Sequence, residues 1–338
     1  MTVDTLRARV TGDVLVPGSA AYESARMPAM TRFRQVRPQA VVRCATAADV
    51  AATLGYAREH GIHVTPRSGG HWALRGAGGG LGVVTSLAFD TVPAPEATRF
   101  EVSLSEAGAA DVIAAWQDWA PDAPDGMSAS LKIAATGDGP AVVTVFGSML
   151  GTQAEAEHLL SGLLDESGVR PVSASYQLMG YRRLKESLVG VGGDERPGEV
   201  FSRSEFFRGP LPAEAIERLL RVFGEDRVPA CSRELNFTAM GGAYNRVAPD
   251  ATAFVHRDER FIVEHALVVR GEAAQVTGWV DRSYDCVHAW GSGRVYPNFP
   301  DPGLTNWAQA YHGGNYERLL QVKQTYDPER LFRFFQSL

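Results

Sequence analysis

Apolar and polar positions along this chain change period repeatedly, and the first clean change follows Ala40. Val41-Val42-Arg43-Cys44 is short and β-branched, which predicts a strand. From Thr46 to His60 the pattern is helical, with Thr46 and Asp49 at capping distance and Gly61 where a helix usually stops. Ile62-His63-Val64-Thr65 then returns to strand-like alternation, so a β-α-β unit is expected. Two glycine-rich stretches follow, Pro66-Arg67-Ser68-Gly69-Gly70-His71-Trp72 and Gly76-Ala77-Gly78-Gly79-Gly80-Leu81-Gly82. Glycines this dense mean that the backbone turns tightly or approaches something closely. Val83-Val84-Thr85-Ser86-Leu87-Ala88-Phe89 reads as a strand, and Pro93 to Glu96 as a linker closing the first region.

Beyond the linker, strands and helices alternate. Strands are expected over Phe100 to Leu104, Val142 to Phe146, near Asn236 and near Ile262, and helices over Ala107 to Trp119, Thr152 to Ser167 and Glu214 to Phe223. That order suits an antiparallel sheet covered by helices on one side, an α+β architecture. The last segment runs Tyr296-Pro297-Asn298-Phe299-Pro300-Asp301, a short helix to His312, Gly313-Gly314-Asn315-Tyr316, and a final helix ending at Tyr326-Asp327-Pro328. Leu331-Phe332-Arg333-Phe334-Phe335 is too apolar for a free tail and should dock on a core. The division expected is residues 1–92, 93–294 and 295–338.

Composition narrows the partners. With 338 residues, 45% hydrophobic and 21% charged, the chain reads as an ordinary globular protein of two domains. A formal charge of -6 with no basic run removes the electrostatic footing for nucleic acid or an anionic membrane, which leaves a small-molecule ligand. No apolar run reaches the ~20 residues that span a bilayer. Asp4, Arg7, Arg9 and Asp13 interrupt the opening stretch, so no signal-peptide core is read there and the cytoplasm is the expected compartment. Cys44, Cys231 and Cys286 are odd in number and far apart, which fits neither a disulfide framework nor a zinc cluster, and buried thiols are expected. His60, His63 and His71 lack ligand spacing, so no metal is expected.

Arg67-Ser68-Gly69-Gly70-His71 suits two readings. Consecutive glycine N–H groups after a strand can point at one anion, with Arg67 adding charge and Ser68 a hydroxyl; the same residues also make a tight surface turn. The second glycine cluster has no Gly-Lys-Ser/Thr and opens no helix after a strand, so neither a P-loop nor a nicotinamide-type dinucleotide fold is supported. Tyr296 is stiffened by Pro297, but a phenol serves as a base only where neighbours favour that role, and spacing alone is met equally by a structural tyrosine.

Together these segments resemble the berberine-bridge-enzyme-like group of FAD-linked oxidases, within the vanillyl-alcohol-oxidase type flavoproteins. The resemblance is carried by Pro66 to His71, by Gly79-Gly80-Leu81-Gly82-Val83-Val84-Thr85, and by the closing order Tyr296-Pro297-Asn298-Phe299, Tyr311-His312-Gly313-Gly314-Asn315-Tyr316, Lys323 and Tyr326-Asp327-Pro328. It implies a vanillyl-alcohol-oxidase type FAD-binding domain beside an α+β substrate domain. It further implies that Arg67, Ser68, Gly69 and Gly70 hold the FAD pyrophosphate and that His71 is bonded to the isoalloxazine methyl. Gly82 and Val83 would lie against the cofactor, and Asn315 and Tyr316 would return to seat the ring. Tyr296 would assist removal of a substrate hydroxyl proton while hydride passes to flavin N5, with oxygen as the final acceptor.

The departure from the family is a missing block. His71 runs into the later motif within a dozen residues, where members of the group carry a domain-sized stretch of the flavin lobe. No cysteine lies in the interval, so a second covalent link is excluded; Gly80-Leu81 replaces a usual asparagine-aromatic pair, and Phe299 a usual second tyrosine. Three functions stay open at this point: an oxidase of a small alcohol, sugar or secondary metabolite, a flavin-free enzyme or binder, and an inactive remnant. Tyr176, Tyr181, Asn236 and Glu264 are unranked pocket candidates. A homodimer, or compaction of the shortened lobe, is expected to cover the surface that the missing block leaves.

Overall fold

The computed structural model describes residues 3–28, 34–67, 76–188, 198–270 and 277–338. The chain divides into two compact units, Met1–Asp90 with Asp250–Val255 and Pro302–Leu338, and Thr91–Pro249 with His256–Asp301. The first unit opens with α1 (Asp4–Arg7), β1 (Asp13–Leu15), α2 (Ala20–Arg26), β2 (Val41–Arg43) and α3 (Ala47–Glu59). The second holds β3 (Glu96–Leu104), α4 (Ala109–Trp119), β4 (Met127–Thr136), β5 (Val142–Met149), α5 (Gln153–Ser167), β6 (Ser173–Gly180) and α6 (Tyr181–Leu188). It continues with β7 (Glu199–Phe207), α7 (Ala213–Gly224), β8 (Cys231–Ala239), β9 (Phe261–Val269) and α8 (Gly278–Asp285). The chain ends in the first unit with α9 (Trp307–His312) and α10 (Tyr316–Tyr326).

In the first unit, α3 begins where its cap predicts, with Thr46 Oγ1 accepting from the Asp49 N–H at 3.1 Å. Asp49 then turns its carboxylate onto the N–H groups of Thr11 (2.8 Å), Gly12 (3.0 Å) and Ala45 (2.8 Å). These bonds, Thr11's first, hold its pKa far below the usual carboxylate range. The expected β-α-β unit is not what forms. β2 pairs instead with the earlier β1, antiparallel, with Asp13 opposite Arg43, while Ile62–Thr65 makes no strand and gives one ladder-like bond, from Val64 N to Leu331 O at 3.1 Å. The run Val83–Phe89 is also no strand: it pairs with nothing among the described residues, and Leu87 (59% exposed), Phe89 (76%) and nearby Val92 (81%) face solvent. β propensity describes fit to a neighbouring strand, and without a partner it produces none. The C-terminal segment docks through Leu331 and Phe332, buried against Ala57, Val64 and Val83, whereas Phe335 remains exposed.

One buried cation organises this docking. Lys323 is 2% exposed and donates to Gly80 O (2.5 Å), Phe332 O (2.5 Å) and Asp327 Oδ2 (2.6 Å). An ammonium has three donors, and all three are used. Asp327 also accepts from the N–H groups of Leu331 and Phe332 at 2.8 and 3.0 Å, so the pair is satisfied on both sides.

The second unit is the helix-covered antiparallel sheet that the alternation predicts, seven strands in the order β6-β3-β5-β4-β8-β9-β7. β4 shows why it has two different faces. Ala129, Leu131, Ile133 and Ala135 are buried under helices, while Ser128, Ser130 and Lys132 point the other way. The core gathers Ile113 and Trp116 from α4, Leu160 and Leu163 from α5, Leu219 and Phe223 from α7, and Trp279 from α8. Trp116 meets Phe237 and Phe261 edge-on at 5.9 and 6.1 Å, a favoured aromatic geometry. α5 is started by a Thr152–Glu155 capping box and stopped at Gly168, whose φ of +65° is the left-handed region that glycine accepts. Strands β4, β6 and β7 and helices α6 and α8 carry weaker periodic signals and are not among the elements expected from the sequence.

Candidate active site

Among the described residues of the second unit, α6 is the α-helix on the sheet's other face, packed at one corner through Ala97, Met179 and Leu184. The middle of that face is a polar lattice fixed by strand register. Thr144, Lys132, Asn236, Glu264 and Ser204 stand side by side across β5, β4, β8, β9 and β7. The next row along the strands carries Phe146, Ser130, Thr238, Ile262 and Phe206. Asn236 Nδ2 donates to Glu264 Oε2 at 3.4 Å and to Glu234 Oε2 at 3.3 Å, and the Lys132 ammonium lies 5.6 Å above the Phe146 ring. Burial pushes the Glu264 carboxyl above the usual range, opposed by hydrogen bonds from Ser202 and Asn236. The Ser204 hydroxyl is buried and finds no hydrogen-bond partner among the described residues. A buried hydroxyl without a partner is uncommon and marks a place where a ligand group can bond.

Tyr296 reaches this same face around the sheet edge. Residues 292–294 lie along the edge strand β7, through Ser292 N to Phe206 O (2.8 Å) and Phe206 N to Arg294 O (3.0 Å). The Tyr296 ring then meets Phe206 edge-on at 6.2 Å and Phe299 at 5.2 Å, while Asn298 Nδ2 donates to the phenol oxygen at 2.7 Å. His256 stacks on Phe206 at 4.6 Å. Phe206 and Glu264 sit in adjacent rows, so the motif tyrosine, Asn236 and Glu264 converge on one face. Of the other two unranked candidates, Tyr176 packs against the helix-side core and Tyr181 is exposed.

The cofactor residues implied by the resemblance belong to the first unit. Ser68, Gly69, Gly70 and His71 lie outside the described residues. Arg67 Nη1 donates to Ala25 O at 3.0 Å, at the C-terminal turn of α2. Asn315 Nδ2 donates to Thr252 O at 3.0 Å, and Tyr316 meets Trp307 edge-on at 5.8 Å and stacks on His312 at 6.3 Å. Fit to a flat ring is tested at the second glycine cluster. A Cβ on Gly76 would stand 2.8 Å from Phe254 N, and one on Gly79 3.3 Å from Pro66 Cγ, so the chain itself fills those positions. Gly82 has nothing within 4 Å, and Val83 after it packs into the core cluster. The backbone at Gly82 is therefore open on its Cα side, room that a flat ring lying against Gly82 and Val83 would use.

Two family models match, one described as FAD binding domain over residues 38–102 and one as berberine and berberine like over 295–338. The chain is similar to the uncharacterized FAD-linked oxidoreductase YgaK of Bacillus subtilis, 32% identical over 273 residues that cover 79% of this chain and 58% of that protein. It is similar to the chitooligosaccharide oxidase of Gibberella zeae, 26% identical over 292 residues, 79% of this chain and 57% of that enzyme. Among solved structures, the xylooligosaccharide oxidase of Myceliophthora thermophila in complex with xylobiose aligns at a TM-score of 0.84 and 18% identity, covering 100% of this chain and 99% of that one, which shows the fold. The chain spans 57–58% of the length of these curated relatives.

Proposed function

Because this chain belongs to the berberine-bridge-enzyme-like group of FAD-linked oxidoreductases, we propose that it oxidises a hydroxyl of a small alcohol or sugar with FAD as hydride acceptor. In this reading residues 1–92 are a shortened flavin domain, 93–294 bind substrate, and 295–338 close the fold. The observation that carries it is the convergence of Tyr296 with the Lys132, Asn236, Glu264 and Ser204 row on one sheet face. A face that alternates amide, carboxyl, ammonium and hydroxyl groups suits a substrate bearing several hydroxyls, each of which is both donor and acceptor. The chitooligosaccharide and xylooligosaccharide oxidases among its relatives support a saccharide over a simple alcohol.

When bound, FAD would supply a ring that accepts hydride from the substrate and is returned to its oxidised form by oxygen. The chain supplies position and proton handling. In its phenolate form Tyr296 would accept the proton of the reacting hydroxyl, with Asn298 donating to the phenolate oxygen. Glu264, its carboxyl pushed above the usual range by burial, can accept from neighbouring hydroxyls, and Ser204 offers a further bond. Gly82 and Val83 would seat the ring, with Arg67, Ser68, Gly69 and Gly70 at the pyrophosphate, Asn315 and Tyr316 supporting the ring, and His71 as the one covalent attachment.

The test is the visible absorption spectrum of purified protein, before and after incubation with excess FAD. A flavin spectrum is expected, with colour retained in the acid precipitate of the wild type and lost in H71A. Colourless protein after incubation refutes the oxidase, and saccharide binding by such protein would leave a flavin-free binder. We further expect a homodimer that covers the exposed Leu87, Phe89 and Val92 run. Light scattering checks this: a monomer that binds no hydrophobic dye rules it out. No described helix is long and apolar enough to cross a membrane.

A further inference from the structure

The segment 288–301, which carries Tyr296, is tied to β7 at both ends by charged side chains of that strand. Glu205 is fully buried, on the helix-covered face opposite Val263. Its Oε2 bonds His288 Nδ1 at 2.8 Å, its Oε1 accepts from Gly293 N at 3.0 Å, and the Tyr284 hydroxyl bonds it as well. The fit is close: a Cβ added to Gly291 would stand 2.2 Å from the Glu205 carboxyl carbon. At the far end Asp301 is held by Arg203 Nε at 2.9 Å, and the Arg203 guanidinium lies 3.7 Å over the Tyr284 ring and bonds Asp281 at 3.1 Å. Between these anchors the segment crosses the sheet edge at Phe206, and Tyr296, Asn298 and Phe299 emerge on the polar face.

We propose that Glu205 is a positioning residue for Tyr296, setting the height and direction of the phenol by clamping Gly293 and His288 from the far side of β7. The assignment rests on the reading of Tyr296 as proton acceptor, but the clamp itself does not. Gly293 is three residues from Tyr296, and the link between them runs through Val295, 1% exposed, so a shift at Gly293 carries to the phenol. Loss of the clamp takes two bonds from the segment, at His288 and Gly293, while its strand-edge bonds to Phe206 and the Ser292 contact with Glu259 stay in place, and so loosens 292–299 without detaching it.

Hydrogen exchange followed by peptide mass analysis tests the clamp, on the full chain and without reference to turnover. E205A should speed exchange across 292–299 by about tenfold or more while peptides of β4 and β5 keep wild-type rates. E205Q, whose amide can both accept from Gly293 and donate to His288, should restore most of the protection. G291A, which crowds the carboxylate without removing it, should also loosen the segment. Kinetics then test the link to Tyr296: E205A should lower kcat by on the order of 10²-fold with a smaller change in KM. The same substitution should cost little further in a Y296F background. Wild-type exchange across 292–299 in both E205A and G291A overturns the clamp, and so does loosening spread equally over β4, β5 and β9. If E205A costs as much in Y296F as alone, Glu205 does not act through Tyr296. Full activity in Y296F would instead remove the Tyr296 reading and leave the exchange result standing.

Discussion

Replacing Lys323 by methionine should lower the unfolding free energy of the first unit by about 3–5 kcal/mol, the usual cost of removing one partner of a buried charge pair. The size follows from what is left behind. Gly80 O and Phe332 O each lose a donor, and Asp327 keeps only its two backbone partners around a buried carboxylate. Methionine matches the length of the lysine stem, so packing around Leu331 and Phe332 changes little and the loss is polar. Thermal unfolding should show a transition lowered on the order of 10 °C. A pH series gives a second check. Burial alone would raise the Asp327 pKa, but hydrogen bonds from Lys323 and from the N–H groups of Phe332 and Leu331 outweigh it and leave the carboxyl below its ordinary value. A depressed carboxylate stabilises the folded state above its unfolded pKa of about 3.9 and loses that contribution as pH falls further. The gap between wild type and K323M should therefore be full at neutral pH and shrink below about pH 4. Equal melting at pH 7 would show that the ammonium contributes nothing.

The second large effect is kinetic. Y296F removes one oxygen, leaves the ring edges against Phe206 and Phe299, and deprives the Asn298 amide of its acceptor. Folding should change by roughly 1 kcal/mol or less, the net worth of one hydrogen bond. If Tyr296, as its phenolate, accepts the substrate proton, kcat should fall by about 10²–10⁴-fold, with KM nearly constant because the sheet row proposed to bind the substrate is untouched. Oxygen uptake or single-turnover bleaching of the flavin band measures this. A variant within twofold of wild type would assign Tyr296 a structural place in its aromatic cluster, the other reading its spacing allows.

Local rules account for much of the second unit and for parts of the first. Thr46 and Thr152 start their helices because their hydroxyls satisfy N–H groups within the same turn, which needs no information from elsewhere in the chain. The β-branched and apolar run Val142 to Phe146 likewise marks a strand before any partner is known, and it forms as part of β5. Ile62–Thr65 and Val83–Phe89 fail as strands for the complementary reason. Their propensity is real, yet a strand exists only where a second one accepts its hydrogen bonds, and β2 takes β1 instead.

The candidate site divides in the same way. Tyr296, Asn315 and Tyr316 are legible as a motif, since fixed residue types recur in fixed order. Lys132, Ser204, Asn236 and Glu264 have no such signal, because even consecutive ones are 72, 32 and 28 residues apart along the chain, and only β-sheet register sets them in one row. Glu205 is equally hidden: a lone glutamate in a strand says nothing until Gly293 and His288 close on it. What the sequence by itself determined is therefore the family, the capped helix starts at Thr46 and Thr152 and the alternation of strands and helices in the second unit, all carried by residues within a few positions of each other. The tertiary structure alone decided which strands pair, which polar side chains share a face and which charges are buried, because each is a contact between distant segments whose energy exists only once both are in place.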